Sequence, residues 1–167
     1  MTRGPFEGGA ESSALRSALG RFATGVTLAT CCDADGAAVG LTVNSFGALS
    51  LEPALVQWSL RCESPNLPAF QAAEFFAINV LTEAQIELSR RFASPHAKRF
   101  EHGRWHVGPH GCPVLFGALA VFECRRRHAE SHGDHVLFIG EVLHHSAHSG
   151  APLLFHASRY RRIGDPL

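Results

Sequence analysis

Small hydroxyl and amide side chains break an otherwise apolar run between residues 40 and 56, where Thr42, Asn44, Ser45 and Ser50 stand among Leu41, Val43, Phe46, Leu49, Leu51 and Leu55. The stretch reads as a buried strand, and such a strand must satisfy its polar groups with backbone, water or a ligand. Left unpaired, each costs about 1–3 kcal/mol. Residues 40–56 are therefore the first candidate for a binding surface.

The neighbouring pattern is strand-rich. Leu15, Leu19 and Phe22 recur at helical spacing behind the caps Ser12 and Ser13, which predicts a helix over 12–22 that ends by Gly25. Residues 26–32 and 39–43 read as a hairpin around the turn Asp33-Ala34-Asp35-Gly36. The second arm continues through 46–49, Glu52-Pro53 breaks it, and 55–60 forms another strand. Ser64-Pro65-Asn66-Leu67 opens a short helix with Ser64 or Asn66 as its cap, and its N-terminus is a candidate anion site.

Continuous apolarity over 75–81 predicts a buried strand, and Thr82 caps a helix over 83–93 whose end carries Arg90 and Arg91. An irregular stretch is expected over 94–113. Two long strands follow, 115–127 and 135–145, joined by 130–134, with a last strand over 153–162. Apolar residues occupy odd and even positions alike in both, as in Ala118–Phe122 and Val136–Ile139. Both faces are thus covered, and the expectation is a mainly β fold: an antiparallel β-barrel with short flanking helices, packed as a homodimer.

Composition narrows the class. With 46% apolar and 18% charged residues among 167, the chain suits one compact domain, expected over 12–167 behind a flexible segment 1–11. Fifteen basic residues balance fifteen acidic ones, so there is no broad attraction to nucleic acid or anionic lipid, and neither is an expected partner. No apolar run reaches the roughly 18 residues of a membrane-spanning helix. Residues 1–10 lack the apolar centre of a secretory signal, so a cytoplasmic location is expected. Five cysteines include the adjacent pair Cys31-Cys32 but no CxxC, and read as small packed thiols. Eleven histidines form no HExxH, so no metal site is expected and the group from His128 to His148 reads as a solvated hairpin. GxSxG, Walker and GxGxxG signatures are missing too.

Four ordered blocks carry a resemblance over about residues 15–162. They are Phe22-Ala23-Thr24-Gly25-Val26-Thr27; Thr42-Val43-Asn44-Ser45-Phe46 with Ser50-Leu51-Glu52-Pro53; Arg90-Arg91-Phe92-Ala93; and Gly133-Asp134-His135 with Phe138 and Gly140-Glu141-Val142. Together they are similar to the short-chain flavin reductases that serve two-component flavin-dependent monooxygenases. The resemblance implies an antiparallel split β-barrel of the flavin reductase, FMN-binding type. It also implies a homodimer that reduces FMN or FAD with NADH or NADPH, and a separate monooxygenase that receives reduced flavin by diffusion.

By the same resemblance Thr42, Val43, Asn44 and Ser45 meet the flavin ring and ribityl chain, and Ser59 and Leu60 line the next strand. Ser64, Asn66 and Leu67 contact phosphate or ribityl hydroxyls, Arg91 adds a cation, Phe92 an apolar edge, and His135 positions the nicotinamide. Tyr160 resembles a late tyrosine of the family. Read as residues alone, each has a plainer role: a bulge or turn partner for Thr42, Asn44 and Ser45, a helix cap for Ser64 and Asn66, a solvated charge for Arg91, core for Phe92, a hairpin histidine bonded to Asp134, and packing for Tyr160. Gly47, Ala48 and Ala54 depart from the family pattern and leave FMN against FAD open. A pyridoxamine-phosphate-oxidase-like FMN oxidase and a non-catalytic flavin or haem binding module are the competing readings.

Overall fold

The computed structural model describes residues 9–94 and 98–166. Helix α1 (Gly9–Leu19) leads into strands β1 (Thr24–Gly25), β2 (Thr27–Cys32), β3 (Ala38–Val43), β4 (Gly47–Leu51) and β5 (Ala54–Arg61). Helix α2 (Leu67–Ala72), β6 (Phe75–Val80) and α3 (Ile86–Phe92) follow. The chain then forms β7 (Trp105–Val107), β8 (Pro113–Leu115), β9 (Ala120–His132), β10 (His135–Ala147), β11 (Leu154–His156) and β12 (Arg159–Arg161).

Seven strands make one antiparallel sheet in the order β3-β2-β6-β9-β10-β5-β4, with a β1-β11-β12 sheet and a β7-β8 hairpin beside it. This is the mainly β, antiparallel split barrel with short flanking helices. Its centre is covered on both sides, so consecutive positions are buried along β2 and β6, polar Thr27, Thr30 and Asn79 included. Where one face is wetter, alternation returns: Val56, Trp58 and Leu60 point inward along β5, as do Val136 and Phe138 along β10. Trp58 stacks on Phe138 at 4.6 Å between ring centroids and meets Phe70 and Phe76 edge-on.

Gly140 lies in β10 at a register shift against β9. A Cβ there would press into the Phe76 ring and lie 2.8 Å from Cys124 Cβ, so only glycine lets these strands approach. A second apolar cluster lies under α3 and the β7-β8 hairpin, including Phe92, Leu115 and Val121. Asn79, fully buried, ties it to the sheet: its amide donates to the Leu28 carbonyl and Thr30 Oγ1, both at 3.2 Å, and accepts from the Leu115 N–H at 2.8 Å.

Several boundaries differ from the sequence reading. α1 begins at Gly9 and ends at Leu19, so residues 9–11 of the expected flexible segment are helical and residues 1–8 lie outside the described residues. Among the described residues nothing covers its apolar stripe: Leu19 is 66% exposed, and Phe22 just beyond the helix 78%. The helix expected over 83–93 starts as a 3-10 turn, Glu83–Gln85, with the Thr82 N–H donating to Gln85 Oε1 at 3.0 Å. The stretch 94–113 contains a 3-10 turn at Arg99–Glu101 and strand β7.

The strand expected over 115–127 is two elements, because Gly117 takes φ 73 and turns the chain between β8 and β9. β9 runs on to His132, and only Gly133 and Asp134, not 130–134, make the hairpin link. The strand expected over 153–162 is a hairpin folded at Ala157 and Ser158, with φ of 49 and 60. Neither residue carries the glycine or asparagine that marks such a turn.

Candidate functional site

The end of β3 and the end of β5 converge on the loop before α2 and on the start of β10, and leave a cleft of about 460 Å³. Leu41, Thr42, Val43, Asn44, Ser45, Ser59, Leu60, Arg61, Glu63, Ser64, Pro65 and His135 line it. Strand register brings the parts together: His135 pairs with Arg61 across β10 and β5, and Leu137 with Ser59.

The three polar residues of 42–45 have different fates. The Thr42 hydroxyl donates to the Ser89 carbonyl at 2.6 Å, tying β3 to α3. Ser45 Oγ donates to the Ser59 carbonyl at 3.1 Å and accepts the Ser59 N–H at 2.9 Å. One hydroxyl thereby does for Ser59 what a paired strand would do, just beyond the Gly47-Gln57 pair of β4 and β5. Asn44 is exposed, and its amide has no hydrogen bond among the described residues. Of the three side chains it alone is free to meet a ligand through both a donor and an acceptor.

His135 Nδ1 lies 2.8 Å from Asp134 Oδ1. A carboxylate only accepts, so Nδ1 carries the hydrogen and a neutral ring presents Nε2 as an acceptor. That hydrogen bond, with the nearby charges of His135 and Arg61, holds the Asp134 carboxyl below its ordinary value.

Other expected residues stand apart from the cleft. Ser64 lines it, but the amides at the start of α2 are occupied: Ser64 N–H donates to the Arg61 carbonyl, Asn66 N–H to Ser64 Oγ at 3.3 Å, and Leu67 N–H to the Ser64 carbonyl. Pro65 has no N–H. These three N–H groups are thus bonded within the chain and not turned to a ligand. The Asn66 side chain does not cap the helix and lines a separate cavity of about 610 Å³ with Gly40, Lys98 and Arg99. Leu67 packs against the core around Trp58.

Arg91, on α3, does not line the cleft. Phe92 is a correction: only 1% exposed, it packs against Phe100 and Trp105 at 5.1 and 5.6 Å, because the inner side of α3 is sealed by the 98–105 segment. Tyr160 OH bonds Ser89 Oγ at 2.8 Å, and with Thr42, Asn44 and Phe155 it borders a small cavity of about 210 Å³ on another side of the β3 end.

The sequence reading held Leu41 only as part of the 40–56 stretch and set the Glu63 carboxylate near the start of α2, but named neither these two nor Arg61 as site residues. The signal for Arg61 was present, since it lies two residues after Ser59 and so shares its strand face. Among the described residues, no cluster of three His, Cys, Asp or Glu side chains is arranged to hold a metal ion, and no helix is long and apolar enough to cross a membrane.

A split barrel with such a cleft at its strand ends defines a class of flavin-binding proteins, and the flavin reductase like domain family matches residues 19–164. The chain belongs to that family. Over 93% of its length it is 44% identical to the FMN reductase (NADH) SmoA of Agrobacterium fabrum, of which it spans 88%. Over 87% of its length it is 38% identical to the reductase component of the flavin-dependent trigonelline monooxygenase of Acinetobacter baylyi, of which it spans only 47%. Among solved structures it superposes with a TM-score of 0.88 on the NADH:FAD oxidoreductase SgcE6 of Streptomyces globisporus, in complex with NAD and FAD fragments. That pair is 32% identical, covering 93% of this chain and 94% of the other.

Proposed function

We propose that this chain is an NAD(P)H:flavin oxidoreductase, using NADH in preference, that reduces FMN or FAD and releases the product to a separate monooxygenase. The observation that carries the reading is the cleft itself, where the unpaired Asn44 amide, the Arg61 cation and the His135 ring meet beside apolar Leu41, Val43 and Leu60. Its volume lies within the roughly 300–1,000 Å³ of small-molecule sites. Its donor set suits a planar ring with a polar edge and a phosphorylated tail.

In this reading Asn44 bonds the polar edge of the ring and Leu41 supplies an apolar wall. Thr42 and Ser45 act through the backbone they hold in place, since their hydroxyls are already used. Arg61 offers the charge for phosphate. His135, its Nδ1–H fixed by Asp134, turns Nε2 toward a nicotinamide carboxamide N–H. When bound, the flavin supplies the hydride acceptor at N5, so the protein contributes proximity and orientation and needs no nucleophile of its own.

Residues 12–167 are taken as one flavin-binding domain. The exposed Leu15, Leu19 and Phe22 favour a homodimer that covers them, and five free cysteines suit a cytoplasmic location. The test is anaerobic mixing of protein and NADH with FMN, FAD or riboflavin. Bleaching of the flavin with loss of reduced nicotinamide is expected. No turnover with any flavin refutes the reading, and flavin-dependent oxidation of a substrate without NADH transfers it to the oxidase class.

A further inference from the structure

The cleft is short of positive charge for a site that takes a phosphorylated tail. Arg61 is the only lysine or arginine lining it among the described residues, and its guanidinium is shared, with Nη2 3.5 Å from Glu63 Oε2. The loop between them is pinned. Cys62 N–H donates to the Asp134 carbonyl at 2.8 Å and Ser64 N–H to the Arg61 carbonyl at 3.0 Å, so the backbone of Glu63 is held at the cleft wall. With the amides of Ser64, Asn66 and Leu67 already bonded, a phosphate arriving here finds one cation, already facing a carboxylate.

We propose that Glu63 lowers the affinity of the cleft for phosphorylated flavins. This rests on the flavin-reductase reading above. A phosphomonoester carries about 1.5 to 2 negative charges at neutral pH. Glu63 repels it directly and competes for Arg61. Riboflavin has the same ring and ribityl chain without the phosphate, so Glu63 barely affects it.

The experiment titrates FMN and riboflavin into wild type, E63Q and R61Q by flavin fluorescence, with FMN dissociation followed by stopped flow. E63Q is expected to tighten FMN by about threefold to tenfold, the scale of one exposed charge, mostly through slower dissociation, and to leave riboflavin unchanged. R61Q is expected to bring FMN affinity down toward that of riboflavin. Added salt shrinks both differences. Equal shifts for FMN and riboflavin in E63Q, or none for either, overturn the proposal while flavin binding by wild type leaves the reductase reading standing. Failure of wild type to bind either flavin overturns both.

Discussion

Ser45 and Asn44 are neighbours that the sequence treats alike and the structure separates, and their alanine variants are expected to fail in opposite ways. Ser45→Ala removes two hydrogen bonds to Ser59, one donated at 3.1 Å and one accepted at 2.9 Å. Each is worth about 0.5–1.5 kcal/mol net, and the exposed position lets water replace part of it, so the loss is about 1–2 kcal/mol. For a chain of this size that lowers Tm by about 2–8 °C. Asn44→Ala removes an exposed side chain with no partner among the described residues, so stability stays within about 0.5 kcal/mol. Loss of two ligand hydrogen bonds weakens flavin about tenfold or more. Thermal melts of the flavin-free proteins and fluorescence titrations with FMN separate the two. Equal destabilisation by both variants refutes the reasoning, as does an S45A protein that binds flavin weakly with an unchanged Tm.

Phe138→Ala empties the space against Trp58 at the fully buried centre of the sheet and is expected to cost about 3–5 kcal/mol, read as a shifted urea midpoint at unchanged slope. Thiol labelling of the native protein at pH 8 is expected to modify exposed Cys62 quickly. Cys31, Cys112 and Cys124, which burial pushes up to about 12, react only after unfolding. Asp134→Ala is expected to raise KM for NADH several-fold with flavin affinity unchanged, because the ring of His135 loses its anchor. In wild type that anchor is present above the ordinary carboxylate value of 3.8 and is lost only as pH falls through the lowered one, so a KM change on this account appears in acid and not between pH 6 and 8.

The barrel was legible because its later strands carry apolar residues at odd and even positions alike, as in Val136–Ile139, and strands covered on both faces have few other homes in a short chain. The β9-β10 link was legible as a turn but not in length, since Glu130–His132 are polar enough to resemble a loop while still pairing with His135–Leu137. The hairpin at Ala157-Ser158 carried no glycine or asparagine at its left-handed positions and was hidden. In the site, residue types at 42–45 announced polar contacts but not their partners. Which of Thr42, Asn44 and Ser45 is free depends on carbonyls of Ser89 and Ser59, distant in sequence. At α2 the sequence marked a helix start but not that the N–H groups of Ser64, Asn66 and Leu67 close the turn that begins it. Phe92 belonged to the four blocks of resemblance, yet helical phase and the covering 98–105 segment turn it into the core.

Flavin reduction by NADH within this cleft is read out by an anaerobic equimolar titration. With purified protein, FMN and NADH, the account predicts that flavin absorbance bleaches one-for-one with nicotinamide oxidised, and that Asn44→Ala slows the reaction at limiting flavin without altering the fold. Unchanged flavin absorbance after NADH addition, with FMN and FAD alike, contradicts it.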